Sequence, residues 1–238
     1  MAIPPKQTGW TQKANLLWDI SRQLDKTLSL MCTGACPTTT TTTTSIAPEA
    51  CTETPVVIGT QTWTKCNLNV TTYRNGDAIV FVDNETDWNN YAAANIGAWC
   101  YYDYNPANGL VYGKLYNRPA VNDPRGLAPV GQHIPTITEF NTLISFLGTD
   151  PGGKMKQAGT SLWLSPNTGA TNSSGFTGLP GGANFTGTFS ELHTTGFWWS
   201  STALPTVNNV MYLSYNDTVA AISATFNDAG NSVRCLID

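Results

Sequence analysis

The chain has 238 residues, 41% of them hydrophobic, enough for one ordinary core plus appendages and too many for wholesale disorder. Only 12% are charged and the net charge is −4, which argues against a nucleic-acid partner, since phosphate backbones are held by clustered Lys and Arg. No apolar run approaches the ~18–20 residues of a membrane span, so no membrane insertion is expected.

Neutral hydrogen-bonding residues supply the polarity: 35 Thr and 21 Asn accompany 21 Gly. Such a composition suits a protein that works outside cells. Yet Met1-Ala2-Ile3-Pro4-Pro5-Lys6-Gln7 lacks the basic stretch, apolar run and small-residue cleavage site of a secretory signal. A virion component fits both observations. It is made in the host cytoplasm, released by lysis and displayed on the virion surface.

Residues 1–10 form a Pro-containing arm that ends at Trp10. From Thr11, an N-cap candidate, to Met31 the pattern is helical, with Leu17, Ile20, Leu24, Thr27 and Met31 at alternating spacings of three and four. Leu16 and Leu28 widen the stripe. At ~1.5 Å per residue the helix is ~30 Å long and marginal alone in water, so it must dock. It can pack on its own domain, self-associate as a short bundle, or sit on a larger scaffold. Trp10, Leu17, Trp18, Ile20, Leu24, Leu28 and Met31 are the anchoring candidates, with a homotrimer expected and a capsid or other virion protein as the partner of residues 1–31.

Residues 32–55 contain Cys32-Thr33-Gly34-Ala35-Cys36-Pro37 and seven consecutive Thr, 38–44. No core can form from that composition, and 24 residues at ~3 Å each would make a stalk of ~70 Å. Cys32, Cys36 and Cys51 fall one ligand short of the four that zinc wants, so reduced thiols are expected there, with later oxidation to crosslinks between neighbouring stalks as the alternative.

Residues 56–238 read as one α+β domain with heavy loop content. Val56-Val57-Ile58-Gly59 and Gln61-Thr62-Trp63-Thr64 predict a hairpin. A helix is predicted over 86–94. A second follows the Thr136-Ile137-Thr138-Glu139 capping box, with Phe140, Leu143, Ile144 and Leu147 on one face and Gly148 as the stop. Further strands are predicted at 196–201, 210–214, 220–226 and 232–237.

Asp83, Glu85 and Asp87 have the alternation of a loop calcium site, but a solvated turn and helix N-terminus explains them as well and is preferred; no metal is expected. His133 and His193 lie outside any catalytic motif, and His133 reads as a hydrogen-bonded structural residue. Trp198 and Trp199 are adjacent, so at most one can be exposed on a strand. The candidate binding face comprises Phe185, Asn208, Asn209, Tyr212, Tyr215, Asn216, Asp217, Asn227 and Asp228, where Tyr and Asn would give contact area and adaptable hydrogen bonding.

Several segments, taken in order, resemble the Fibrobacter succinogenes major paralogous domain. They are Asn67-Leu68-Asn69-Val70-Thr71-Thr72-Tyr73-Arg74-Asn75-Gly76-Asp77, Tyr112-Gly113-Lys114-Leu115-Tyr116-Asn117 and Ala120-Val121-Asn122-Asp123-Pro124-Arg125-Gly126-Leu127-Ala128-Pro129. Gly152-Gly153-Lys154-Met155-Lys156, the run 169–182, Gly196-Phe197-Trp198-Trp199-Ser200-Ser201-Thr202 and Ser232-Val233-Arg234-Cys235 complete the series. The resemblance implies a formylglycine-generating-enzyme-like variant of the C-type-lectin-like fold: short antiparallel strands in a small twisted sheet, two helices, and long loops carrying a binding face, with the Trp198-Trp199 pair part of the scaffold and so expected in the core.

The sequence departs from that family at Gln132, at Arg118-Pro119 and at Ala128, where many members have a Cys that pairs with the terminal one. Cys235 is therefore left to pair with Cys100 or to remain a thiol. Formylglycine-generating enzymes bind copper through two Cys a few residues apart near the C-terminus. Here Cys235 stands alone and the preceding Cys is Cys100, so neither enzyme activity nor a cofactor is expected. Some phage proteins of this fold are diversified by retroelements in their C-terminal part.

Residues 9–24, Gly9-Trp10-Thr11-Gln12-Lys13-Ala14-Asn15-Leu16-Leu17-Trp18-Asp19-Ile20-Ser21-Arg22-Gln23-Leu24, resemble a short helix of virion proteins from crAss-like bacteriophages. The combined expectation is a non-enzymatic head fibre, or tail-associated fibre, that presents a lectin-like domain to a host-surface glycan or protein. The alternatives are a bacterial surface adhesin of the same fold and a degenerate formylglycine-generating-type oxidase.

Overall fold

The computed structural model describes residues 54–203 and 208–238. The anchoring helix with Trp10, Leu17, Trp18, Ile20, Leu24, Leu28 and Met31, the stalk up to residue 53, and Cys32, Cys36 and Cys51 lie outside the described residues.

The domain opens with the expected hairpin: β1 (Val56–Ile58) and β2 (Gln61–Trp63) pair antiparallel across a turn in which Gly59 takes φ 65°. β3 (Val80–Phe81), α1 (Glu85–Ala93), β4 (Ala98–Cys100), a 3-10 turn (Tyr102–Tyr104) and α2 (Pro106–Tyr112) follow. Next come β5 (Leu115–Asn117), α3 (Arg118–Val121), β6 (Gln132–His133), α4 (Ile137–Leu147) and α5 (Pro151–Met155). The rest is strand: β7 (Gly181–Phe185), β8 (Thr188–Leu192), β9 (Thr195–Ala203), β10 (Asn208–Ser214), β11 (Ala220–Thr225), β12 (Gly230–Asn231) and β13 (Leu236–Ile237).

A four-stranded sheet has the order β1-β2-β13-β6. A nine-stranded sheet runs β11-β10-β9-β7-β12-β5-β4-β3, with β8 paired to β7. The molecule is thus mixed α and β, mostly sheet, with few helices.

Three expectations need correction. Two helices were expected and five α-helices occur among the described residues. The additional α2, α3 and α5 span only 7, 4 and 5 residues, too short for a hydrophobic period to show; each starts with Pro in its first turn. The strands are not all antiparallel, because β3 pairs parallel with β4 and β7 with β9. The strand expected over 232–237 shrinks to β13 in the small sheet; β12, just ahead of that range, belongs to the large sheet, and the crossing between them carries Arg234.

Strand alternation distributes the core over both faces of the large sheet. Trp199 and its register partner Val210 join Trp99, Tyr116, Val233 and Cys235 in one cluster. Trp198 and Met211, one residue along, join Trp63, Phe140, Trp163 and Phe176 in a second. Trp88, Ala98, Cys100 and Leu115 form a third. Both adjacent tryptophans are fully buried with satisfied indoles: Trp198 Nε1 donates to Asn67 Oδ1 at 2.8 Å and Trp199 Nε1 to the Tyr116 carbonyl at 2.7 Å.

The suggested Cys100–Cys235 disulfide is not formed. Both are buried thiols in separate clusters, and burial pushes each up to about 12. Cys66, given no role by the sequence reading, is disulfide-bonded.

The capping box at the start of α4 forms as read: Glu139 N donates to Thr136 Oγ1 at 3.2 Å, and Thr136 N donates to Glu139 Oε2 at 2.8 Å. The other oxygen of Glu139 lies 2.9 Å from His133 Nε2, while His133 Nδ1 lies 2.6 Å from Asp238 Oδ1. With a carboxylate at each ring nitrogen, only the imidazolium donates to both. Partial burial disfavours that cation, but the Asp238 and Glu139 carboxylates outweigh it and raise the pKa above 6.5. A raised folded pKa means that the stabilisation is complete below the unfolded value and is lost as pH rises through the folded one. His133→Gln should therefore lower the melting temperature slightly at pH 6 and hardly at all at pH 9. These groups are partly exposed, so the expected effect is under about 1 kcal/mol.

Candidate binding face

Strands β9, β10 and β11 bring Phe197, Tyr212 and Ala221 into one cross-strand row. The Phe185 ring, from the end of β7, meets Phe197 edge-on at a centroid distance of 5.9 Å, and Phe197 lies 6.1 Å from Tyr212. Phe185 and Phe197 rest on the first core cluster, and all three rings keep part of their surface in solvent. Rigid strands therefore hold a half-buried aromatic row, an arrangement that positions ligand-contacting groups more tightly than loops do.

Phe185 and Tyr212 were candidates in the sequence; the residue joining them, Phe197, was not. Its signal was there, because alternation along Phe197-Trp198-Trp199 puts Phe197 on the same side as Trp199, one row nearer the strand end.

The remaining candidates divide. Asn208 and Asn209 are buried, which corrects their reading as surface residues. Asn208 lies two residues from Val210 on the same face, and its Nδ2 donates to Asn227 Oδ1, tying β10 to the loop after β11. Asn209 Nδ2 is buried without a hydrogen-bond partner among the described residues, as is Asp228 Oδ1. The Asp228 carbonyl accepts Trp88 Nε1 at 2.8 Å, which anchors this loop to α1, while the Asn227 side chain is exposed.

Tyr215, Asn216 and Asp217 follow the C-terminal end of β10, with Tyr215 three residues, about 10 Å, beyond Tyr212 at ~3.3 Å per residue. Tyr215 packs against the second cluster and its carbonyl accepts Thr168 N at 2.7 Å. The Asp217 carbonyl accepts Lys156 Nζ at 2.7 Å, and Ser214 Oγ donates to Asn216 Oδ1 at 2.8 Å. This is a structural turn, separate from the aromatic row.

Asp83, Glu85 and Asp87 serve the start of α1. Asn84 is the N-cap: its Oδ1 accepts Asp87 N at 2.9 Å and its Nδ2 donates to Asp87 Oδ2 at 2.8 Å. Acidic side chains in a first helical turn complement its positive end. Among the described residues no group of three or more His, Cys, Asp or Glu is arranged to hold a metal ion.

Several buried cations of this charge-poor domain donate to main-chain carbonyls. Arg118 Nη1 donates to the Ser200 carbonyl at 2.5 Å and Nη2 to the Thr202 carbonyl at 3.2 Å, with the guanidinium 5.6 Å from the Trp199 ring. Burial pulls its pKa down to about 10. Arg118 thus clamps the end of β9, where Ser201 also donates to the Pro135 carbonyl at 2.8 Å.

The fold and this face define a sheet-rich α+β domain packed around buried tryptophans, with aromatic rings left half-exposed on its strands. The chain belongs to the Fibrobacter succinogenes major domain family, whose model matches residues 56–236. No curated protein and no solved structure matches it. Among the described residues, no helix is long and apolar enough to cross a membrane.

Proposed function

We propose that the chain is a non-enzymatic bacteriophage virion protein, a head fibre or tail-associated fibre. Residues 1–31 anchor it as a homotrimer, and a C-type-lectin-like domain meets a host-surface glycan or protein. The aromatic row Phe185–Phe197–Tyr212 carries the attachment reading: fixed rings supply contact area at low entropic cost, as in antibody paratopes. The Tyr212 hydroxyl on the half-exposed end of that row adds a neutral hydrogen-bonding group suited to an uncharged ligand.

The reading against an oxidase rests on the cysteines. Cys100 and Cys235 occupy different core clusters, and burial keeps both thiols protonated and so poorly nucleophilic. The phage context rests on the resemblance of residues 9–24.

The test is binding of the full chain to a panel of immobilised bacterial-surface polysaccharides and to intact host cells. Phe197→Ala/Tyr212→Ala should weaken binding by about 10–100-fold, the range of a lost aromatic anchor, without loss of the folded state. Undiminished binding by that variant would remove the aromatic row from the argument.

A further inference from the structure

A solvent-open depression of about 340 Å³ lies between the first hairpin, the end of α4 and the loop after α5. That volume falls at the lower end of small-molecule sites, ~300–1,000 Å³. Val57 and Gly59, Phe146, Lys154, and Ser173 with Ser174 line it. The buried Ile58 and Leu147 behind it belong to the second core cluster, so it sits apart from the aromatic row, which rests on the first. Its apolar groups are open to solvent: Val57 is 70% and Phe146 63% exposed. The Phe146 ring is seated on Gly59, where an added Cβ would come within 2.9 Å of the ring carbons. The polar groups are donors. Lys154 Nζ gives one N–H to the Leu147 carbonyl at 2.6 Å and keeps two. Ser173 Oγ accepts from Thr171 Oγ1 at 3.1 Å and keeps its own hydrogen. Among the described residues that line the depression, Lys154 alone is charged.

We propose that this depression binds a small carboxylate carried on a ring-sized body, an acidic sugar being the source that uses every group in it. The carboxylate meets the two remaining N–H groups of Lys154, a charge-assisted contact about twice as strong as a neutral one. The Ser173 hydroxyl donates to a ring hydroxyl, and Phe146 with Val57 covers the apolar C–H face of the ring. The carbonyl end of α4 would oppose an anion, but Lys154 caps its Leu147 carbonyl. These donors are fixed before a ligand arrives. Ser174 N and Oγ both donate to the Lys154 carbonyl, at 3.1 and 2.9 Å. Asn172 closes the loop by accepting Thr177 N at 2.9 Å and donating to Thr177 Oγ1 at 3.0 Å. Binding then has little chain to order.

The test titrates the full chain with four probes, read by ligand-observed magnetic resonance: glucuronate, glucose, acetate and cyclohexanecarboxylate. Glucuronate should bind about 10-fold more tightly than glucose, which lacks the charge, and than acetate, which lacks the body. Glucuronate ahead of cyclohexanecarboxylate identifies the sugar as the source; the reverse order identifies an apolar carboxylate. Lys154→Gln keeps a donor for the Leu147 carbonyl and should weaken glucuronate about 10-fold, as should Phe146→Ala, which removes an exposed ring. Circular dichroism checks that both variants fold. Added salt should weaken glucuronate and leave glucose unchanged. Equal binding of glucuronate and glucose, a match between acetate and glucuronate, or no binding by any probe overturns the site. Phe197→Ala/Tyr212→Ala should titrate as wild type; loss of glucuronate binding there would move the ligand to the aromatic row. The two sites therefore fail separately.

Discussion

Arg234→Met is expected to remove about 3–5 kcal/mol of stability, a large share of what a domain of this size has. The Arg234 side chain is fully buried. Its guanidinium donates to the Phe176 carbonyl at 2.6 Å, the Thr64 carbonyl at 3.1 Å and Asn67 Oδ1 at 3.0 Å, and lies 4.5 Å from the Phe176 ring centroid. Methionine fills much of the volume but leaves those oxygens without their donor. The loss spreads through Asn67, whose Oδ1 also accepts Trp198 Nε1 at 2.8 Å and whose Nδ2 donates to the Tyr112 carbonyl at 2.8 Å. One side chain thus joins the crossing between the two sheets to β2, to the 176–177 loop and to a core tryptophan. Arg234→Lys should rescue little, because a single ammonium cannot reproduce the planar fork. Urea unfolding at pH 7 measures this against Arg125→Ala. Arg125 makes exposed pairs with Asp77 at 3.1 Å and Asp123 at 2.8 Å, and its loss should remove less than about 1 kcal/mol. Equal effects of the two variants would contradict the clamp.

Elements with strong local signals were legible in the sequence. The capping box and apolar face located α4, the Gly59 turn located the first hairpin, and alternation placed Trp198 and Trp199 on opposite, buried sides. Elements made by tertiary contact were not. Helix α3 is four residues long and exists because Asn117 Oδ1 accepts Ala120 N at 3.0 Å while also accepting Ala98 N at 2.8 Å from β4. The parallel β7–β9 pairing joins segments whose register no local turn sets. Lys114, Arg118, Lys156 and Arg234 look like surface residues in a sequence, yet all are buried, each donating to main-chain carbonyls of loops or strand ends that need donors. The site was half-legible for a related reason. Tyr and Asn marked the region, but Asn208 is tied down by Asn227 from the loop after β11, a contact no local signal sets, and Phe197 was hidden beside two core tryptophans.

Lys156→Met carries the second large expected effect, about 2–4 kcal/mol at neutral pH, because three buried carbonyls lose their donor. Lys156 follows α5 and is fully buried; its Nζ donates to the carbonyls of Thr168 at 2.9 Å, Ser214 at 2.8 Å and Asp217 at 2.7 Å. Burial pushes its pKa down to about 8, with the nearby Asp217 opposing the shift. The unfolded chain keeps a lysine near ~10.4, so between these values the unfolded state binds the extra proton and wild-type stability rises with pH. The favourable contribution is fully present above the unfolded pKa and fades as pH falls through about 8. Methionine cannot titrate, so the deficit of Lys156→Met should widen from pH 7.5 to 9.5 by about 1–2 kcal/mol. Urea unfolding of both proteins across that range measures it. A constant gap would mean that Lys156 stays charged in the folded state and that its carbonyl bonds outweigh burial. The damage should be local in either case. The 215–217 turn leads directly into Val219 and β11, so proteolysis should begin there and the exposed sheet edge should loosen first. Phe185 and Phe197 are held by the first core cluster, away from this turn, so ligand contact through them should survive wherever the domain stays folded, while Tyr212, paired with Ala221 of β11, should be the ring most affected.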